Sequence, residues 1–148
     1  MGYELLYLCS MKKVVYDSWL AKRLLMKGYD TITVGPLVFT KLKVLPQWVM
    51  NHECVHVRQW TEMAFVSGFL LLIGMIVFSY SPWLMFVSPA TFYMWYFVEY
   101  IVRRVWGLFI NGDQKQAYRS VWFEREARRA ERDPHYLENS GCFEWVGK

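Results

Sequence analysis

The stretch NHECVHVRQWTEMAFVSGFLLLIGMIVFSY, Asn51–Tyr80, decides how the rest of the chain is read. Its first residues carry the pattern H-E-x-x-H, as His52-Glu53-Cys54-Val55-His56. Beyond Glu62 it holds no charged residue, and no Asp, Glu, Lys, Arg or His occurs from Met63 to Val98. A helix that spans a bilayer needs roughly 20 mainly apolar residues, with about 17 as the lower limit. One segment therefore suggests both a metal and a membrane.

Pro82 follows Tyr80 and Ser81, and proline stops a helix by removing a donor and clashing with the preceding turn. The uncharged run is thus expected to form two transmembrane helices, Met63–Tyr80 and Trp83–Val102, in an antiparallel hairpin, with Ser88-Pro89 kinking the second. Trp83, Tyr93, Trp95, Tyr96, Tyr100 and Trp106 fit interfacial aromatics. Eight Lys/Arg precede the hairpin, nine follow it and none lies in its turn. The positive-inside rule then puts both termini, and any site built from the flanks, in the cytoplasm. Glu99, one turn before Arg103, is expected to pair with it instead of marking a transport path, which leaves a transporter or channel poorly supported.

Composition agrees with a single chain of two characters. The 148 residues are enough for one domain, 1–148. Hydrophobic residues make up 55% and aromatics 19%, yet mean hydropathy is only +0.10, as expected of a polar part joined to a lipid-facing part. The net charge of +4 comes without an aromatic-interleaved basic motif, so it reads as preference for a membrane surface and not for nucleic acid. Cys9, Cys54 and Cys142 form no C-x-x-C and are expected to be free thiols in a reducing compartment. The N-terminus, MGYELLYLCSMKK, has its acid before and its basic pair after the apolar residues, the reverse of a secretory signal.

Ahead of the motif, 14–27 has apolar residues at helical spacing and is expected to be a helix capped by Gly28. DTITVGPLVFTKLKV, beginning at Asp30, is β-branched and partly alternating, which predicts a strand or bent hairpin. Gly35-Pro36 within it predicts an edge strand or a bulge. Pro46 suits the first turn of a helix running through the motif. After the membrane, Asn111-Gly112-Asp113 breaks the chain and Asp113–Asp133 reads as a charged helix. The fold class is therefore mainly α: a membrane hairpin inserted in a minimal zincin-like site, with a short β edge strand or hairpin.

On a helix, residues four apart share a face, so His52 and His56 can reach one Zn2+ through imidazole nitrogens. Glu53 would stand beside the ion as general base, since bound zinc brings the pKa of water to about 7. A third ligand is needed, and Glu124, Glu126 and His135 are the candidates. Glu124 shares its face with Ala117, Val121 and Ala127, whose small alanines permit close helix approach. Glu126 shares its face with Arg129, Trp122 and Phe123. Thr33, Val34 and Gly35 lie in the strand expected to hold an extended peptide substrate by edge addition. Arg58 is expected to meet lipid phosphate, Gln59 a ligand imidazole or substrate, and Tyr118 an oxyanion.

HECVH and FEREAR, separated by uncharged sequence, resemble the integral-membrane gluzincins of the HtpX type. In that family the third ligand is the Glu of E-x-x-A-D, which here corresponds to Glu124-Arg125-Glu126-Ala127, so the resemblance implies Glu124. Arg128 replaces the Asp that would orient a ligand histidine. DTITVGPLVF, HECVHVRQ and FEREAR together resemble small bacterial membrane proteins with H-E-x-x-H-x-R-Q and F-E-R-E-A, over roughly residues 30 to 138. The resemblance implies a zinc metallopeptidase of the bacterial inner membrane acting on protein or peptide substrates. The competing expectation is a non-catalytic membrane anchor or interaction protein with a structural metal site.

Overall fold

The computed structural model describes residues 14–25, 28–109, 113–133 and 135–146. The readings of the N-terminal thirteen residues, including Cys9, and of Asn111-Gly112 lie outside them. The chain divides into two compact units, Met1–Arg58 with Glu126–Glu144, and Gln59–Arg125 with Trp145–Lys148.

In the first unit, Val14–Val15 forms strand β1 and Trp19–Leu24 helix α1. The helix expected over 14–27 is therefore shorter at both ends. Asp17 has φ 51, which ends the strand, and Ser18 caps α1 by accepting the Ala21 N–H at 3.4 Å. The helix stops at Leu25, three residues before the expected cap at Gly28.

Strands β2 (Thr31–Val34) and β3 (Leu37–Thr40) pair antiparallel, with Val34 opposite Leu37. Gly35-Pro36 is thus the two-residue turn that interrupts the segment and makes it the expected hairpin, and not a bulge. Gly35 supplies the positive φ (58) that such a turn requires at its first central residue. β1 pairs parallel to β3 on its other side, giving the order β1-β3-β2, so among the described residues β2 is an edge strand as expected.

Helix α2, Gln47–Phe78, starts directly after Pro46 and runs unbroken through the motif into the uncharged run. Its N-terminal half belongs to the first unit, where Val55 packs on Ala127 and Ala130 with all three fully buried. Those alanines lie on or at the end of helix α5 (Trp122–Ala130). The short helix α6, Tyr136–Asn139, completes this unit. Cys54 is disulfide-bonded, whereas Cys142 is free and exposed, so the free-thiol expectation fails at Cys54. Spacing along the chain carries no information on which cysteine Cα atoms come within about 6 Å in the fold, the distance a disulfide needs.

In the second unit, α2 ends at Phe78 and the left-handed Ser79 (φ 55) reverses the chain. Tyr80 folds back on Gly74, where a Cβ would stand 2.7 Å from its ring. The expected second span, Trp83–Val102, is not one helix. Pro82–Ala90 is a 3-10 helix containing Pro89, and helix α3 starts only at Thr91 and runs to Phe109. Pro89 removes a backbone donor, and the hydroxyls of Ser67, Ser88 and Thr91 cluster at the break. α3 consequently carries Glu99, Arg103 and Arg104. Among the described residues, α2 alone is long and apolar enough to cross a membrane. Only 6% of its apolar window is buried, and Phe65, Ile76 and Phe78 are at least 65% exposed. A helix at the core of a soluble bundle would bury these residues.

The segment expected as one helix over Asp113–Asp133 is two, α4 (Gln114–Ser120) and α5, separated by Val121 at ψ 134. Val121 is buried with Phe92, Phe123 and Trp145 in the core of this unit. Glu99 receives Arg103 at 2.7 Å, as expected, and also caps the Trp122 N–H at 3.0 Å.

Candidate metal and active site

Four residues along α2 bring His52 and His56 to the same face. Their Nε2 atoms stand 3.1 Å apart with the rings nearly perpendicular, at 80°. Two nitrogens bound at 2.0–2.1 Å to one tetrahedral ion would be separated by about 3.3 Å. The pair therefore has nearly the spacing that an ion between them demands.

His52 has a further partner that the sequence reading missed. Its Nδ1 lies 2.7 Å from Glu131 Oε1, in the turn that follows α5. A carboxylate at one ring nitrogen keeps the proton there and leaves the other nitrogen's lone pair directed outward. Arg128 occupies the place where the resemblance leads one to expect an orienting Asp, and Glu131 supplies such a carboxylate three residues later. The signal was available, since Glu131 stands seven residues, two helical turns, beyond Glu124.

Glu53 is buried beside His52, and strand β2 holds its carboxylate at both oxygens. Thr31 donates to Oε1 at 2.5 Å and Thr33 to Oε2 at 2.6 Å. In a strand, residues two apart face the same side, so alternate hydroxyls meet one carboxylate. Of the residues expected to contact substrate, Thr33 thus directs its hydroxyl to Glu53. Val34 is exposed on the edge strand and Gly35 is buried in the turn.

Arg58 does not face lipid phosphate. It is buried, ion-paired with Glu126, and donates to Ser140 Oγ at 2.6 Å. Tyr136 lies over the guanidinium at 5.8 Å and donates to Glu126 at 3.3 Å. Burial, and then the Glu126 charge, push the Tyr136 hydroxyl up to about 12. Glu126 is thereby the counter-ion of Arg58. His135 is exposed and meets Glu138 at 3.0 Å.

Within the second unit, Glu124 is 1% exposed, and its Oε1 accepts the hydroxyls of Tyr96 at 2.8 Å and Tyr118 at 2.7 Å. Tyr118, expected at an oxyanion, instead holds a carboxylate, and Tyr96 was not foreseen in that role. Gln59 donates to the Phe123 carbonyl at 3.1 Å.

Helix α5 is continuous from Glu124 to Ala130. His52, His56 and Glu53 thus come together in the first unit, while Glu124, the expected third ligand, belongs to the second. No family model, no curated protein and no solved structure matches the chain.

Proposed function

We propose that this chain is a membrane-bound zinc-dependent metallopeptidase that hydrolyses peptide bonds at the cytoplasmic membrane surface. The observation that carries the reading is the His52–His56 pair, with Nε2 atoms 3.1 Å apart beside the buried Glu53. With Glu124 as the proposed third ligand, the set has the two-histidine, one-glutamate composition of catalytic zinc sites. Bound there, Zn2+ would supply a Lewis acid that polarises a carbonyl and acidifies water.

The chain's own groups supply the remaining steps. Glu131 fixes the His52 ring, while Tyr96 and Tyr118 fix the Glu124 carboxylate. Glu53 takes a proton from water as the water oxygen bonds to the substrate carbonyl carbon. It then gives that proton to the leaving nitrogen as the C–N bond breaks. The β2 side of the sheet, at Thr33, Val34 and Gly35, is where an extended peptide would add as a further strand. Helix α2 carries the motif and enters the bilayer with its uncharged half, which supports a site at the membrane surface. The basic residues that flank this half support a cytoplasmic face.

One observation favours a second reading, a structural metal site in a non-catalytic membrane protein: both Glu53 oxygens already accept threonine hydroxyls. Glu53→Gln separates the two. Elemental analysis of the detergent-purified variant should find zinc retained, with cleavage of labelled casein abolished. If wild type binds zinc yet neither it nor the variant cleaves casein or a peptide library, the structural reading replaces the peptidase.

A further inference from the structure

Glu53 raises a question of its own. Its carboxylate is the proposed base, yet it sits between the hydroxyls of Thr31 and Thr33 at 2.5 and 2.6 Å, among the shortest contacts of the first unit. Each carboxylate oxygen has two lone-pair directions, so one hydroxyl per oxygen leaves acceptor capacity for water. The two donors come from a single strand at alternate positions and bind opposite oxygens, which fixes the carboxylate plane as well as its location. Strand β2 is itself held in register by β3, with Thr31 opposite Thr40 and Thr33 opposite Val38.

We propose that Thr31 and Thr33 are positioning residues that orient the Glu53 carboxylate for proton abstraction, so that the edge strand offered to substrate also sets the base. This inference rests on the peptidase reading. The pairing has a consequence for order of events. A peptide added alongside β2 would lie about 4.8 Å from that strand, the spacing of neighbouring strands. It would arrive beside the same threonine row that holds Glu53, and docking and base alignment would share one element.

Valine tests the hydroxyls alone, because it matches threonine in shape and strand preference. The zinc-loaded, full-length protein in detergent is compared with Thr31→Val/Thr33→Val and Thr31→Ser/Thr33→Ser. Three readouts are zinc content, kcat and KM on labelled casein, and binding of acetohydroxamic acid, a metal-chelating probe whose acidic proton meets a neighbouring base. Displaced catalytic groups commonly lose about 100-fold. The valine pair should lose 10- to 100-fold in kcat with KM within twofold and zinc unchanged, and the serine pair should recover most of it.

An unchanged kcat overturns the proposal. So does a rise in KM alone, which would assign Thr33 to substrate, or a serine pair as impaired as the valine pair, which would assign packing. If wild type binds zinc and the hydroxamate but cleaves nothing, the peptidase reading fails separately. Hydroxamate affinity then decides on base orientation: at least a tenfold loss in the valine pair supports it, and equal affinity refutes it. A wild type that binds neither zinc nor hydroxamate overturns both.

Discussion

His52 Nδ1 and Glu131 Oε1 are 2.7 Å apart, and this contact fixes the ring of the first motif histidine. Carboxylates behind a ligand histidine typically contribute 10- to 100-fold in metal affinity. Glu131→Ala should therefore weaken zinc binding by about that factor while leaving one ion bound at saturation. Competition against a fluorescent chelator measures it. An affinity equal to wild type would show that Glu131 only decorates the ring.

Glu124 and Glu126 are both 1% exposed, two residues apart on one helix, yet they belong to different chemistries. Glu124→Ala should remove most of the bound zinc. Glu126→Ala should keep zinc but leave the Arg58 guanidinium buried without its partner, a loss of about 3–5 kcal/mol. Elemental analysis and denaturant unfolding of the pair separate the effects. Zinc lost from the Glu126 variant and retained by the Glu124 variant would reverse the ligand assignment.

The parts of this molecule that could be read from sequence are those where periodicity or a local motif acts alone. The helix through His52 and His56, the β2–β3 segment with its edge strand, the Glu99–Arg103 pair and the close approach of Ala127 to the motif helix all follow from spacing. The second span failed because an uncharged run states only what lipid tolerates. Whether Pro89 kinks a helix or resets it as 3-10 depends on which hydroxyls satisfy the freed backbone. Arg58 and Glu126 misled for a related reason. Charged residues are almost never fully buried unless paired, and the partner of each lies 68 positions away. Trp145, in a tail without pattern, closes a core on Phe123 at 4.5 Å that no local signal announces.

Tyr136 gives the first unit a pH signature. Its folded pKa, about 12, lies above the ordinary 10.0, so the fold favours the protonated hydroxyl. That contribution is complete below about pH 10 and is lost as pH rises through about 12. The difference in 295 nm absorbance between wild type and Tyr136→Phe should show a tyrosine that ionises near the upper value. Ionisation at the ordinary position would mean that Tyr136 is not held against Glu126.

Cys142 reports the side of the membrane on which the first unit lies. It is free and exposed, so a membrane-impermeant maleimide can reach it wherever the surrounding water is accessible. With the site on the cytoplasmic face, intact spheroplasts should leave Cys142 unlabelled, and lysis should allow complete reaction. Cys142→Ser provides the blank. The disulfide at Cys54 gives this experiment its edge, since disulfides persist mainly in oxidising compartments. Labelling of intact spheroplasts at Cys142 would place the unit outside, overriding the distribution of basic residues and moving the proposed substrates to the extracytoplasmic side.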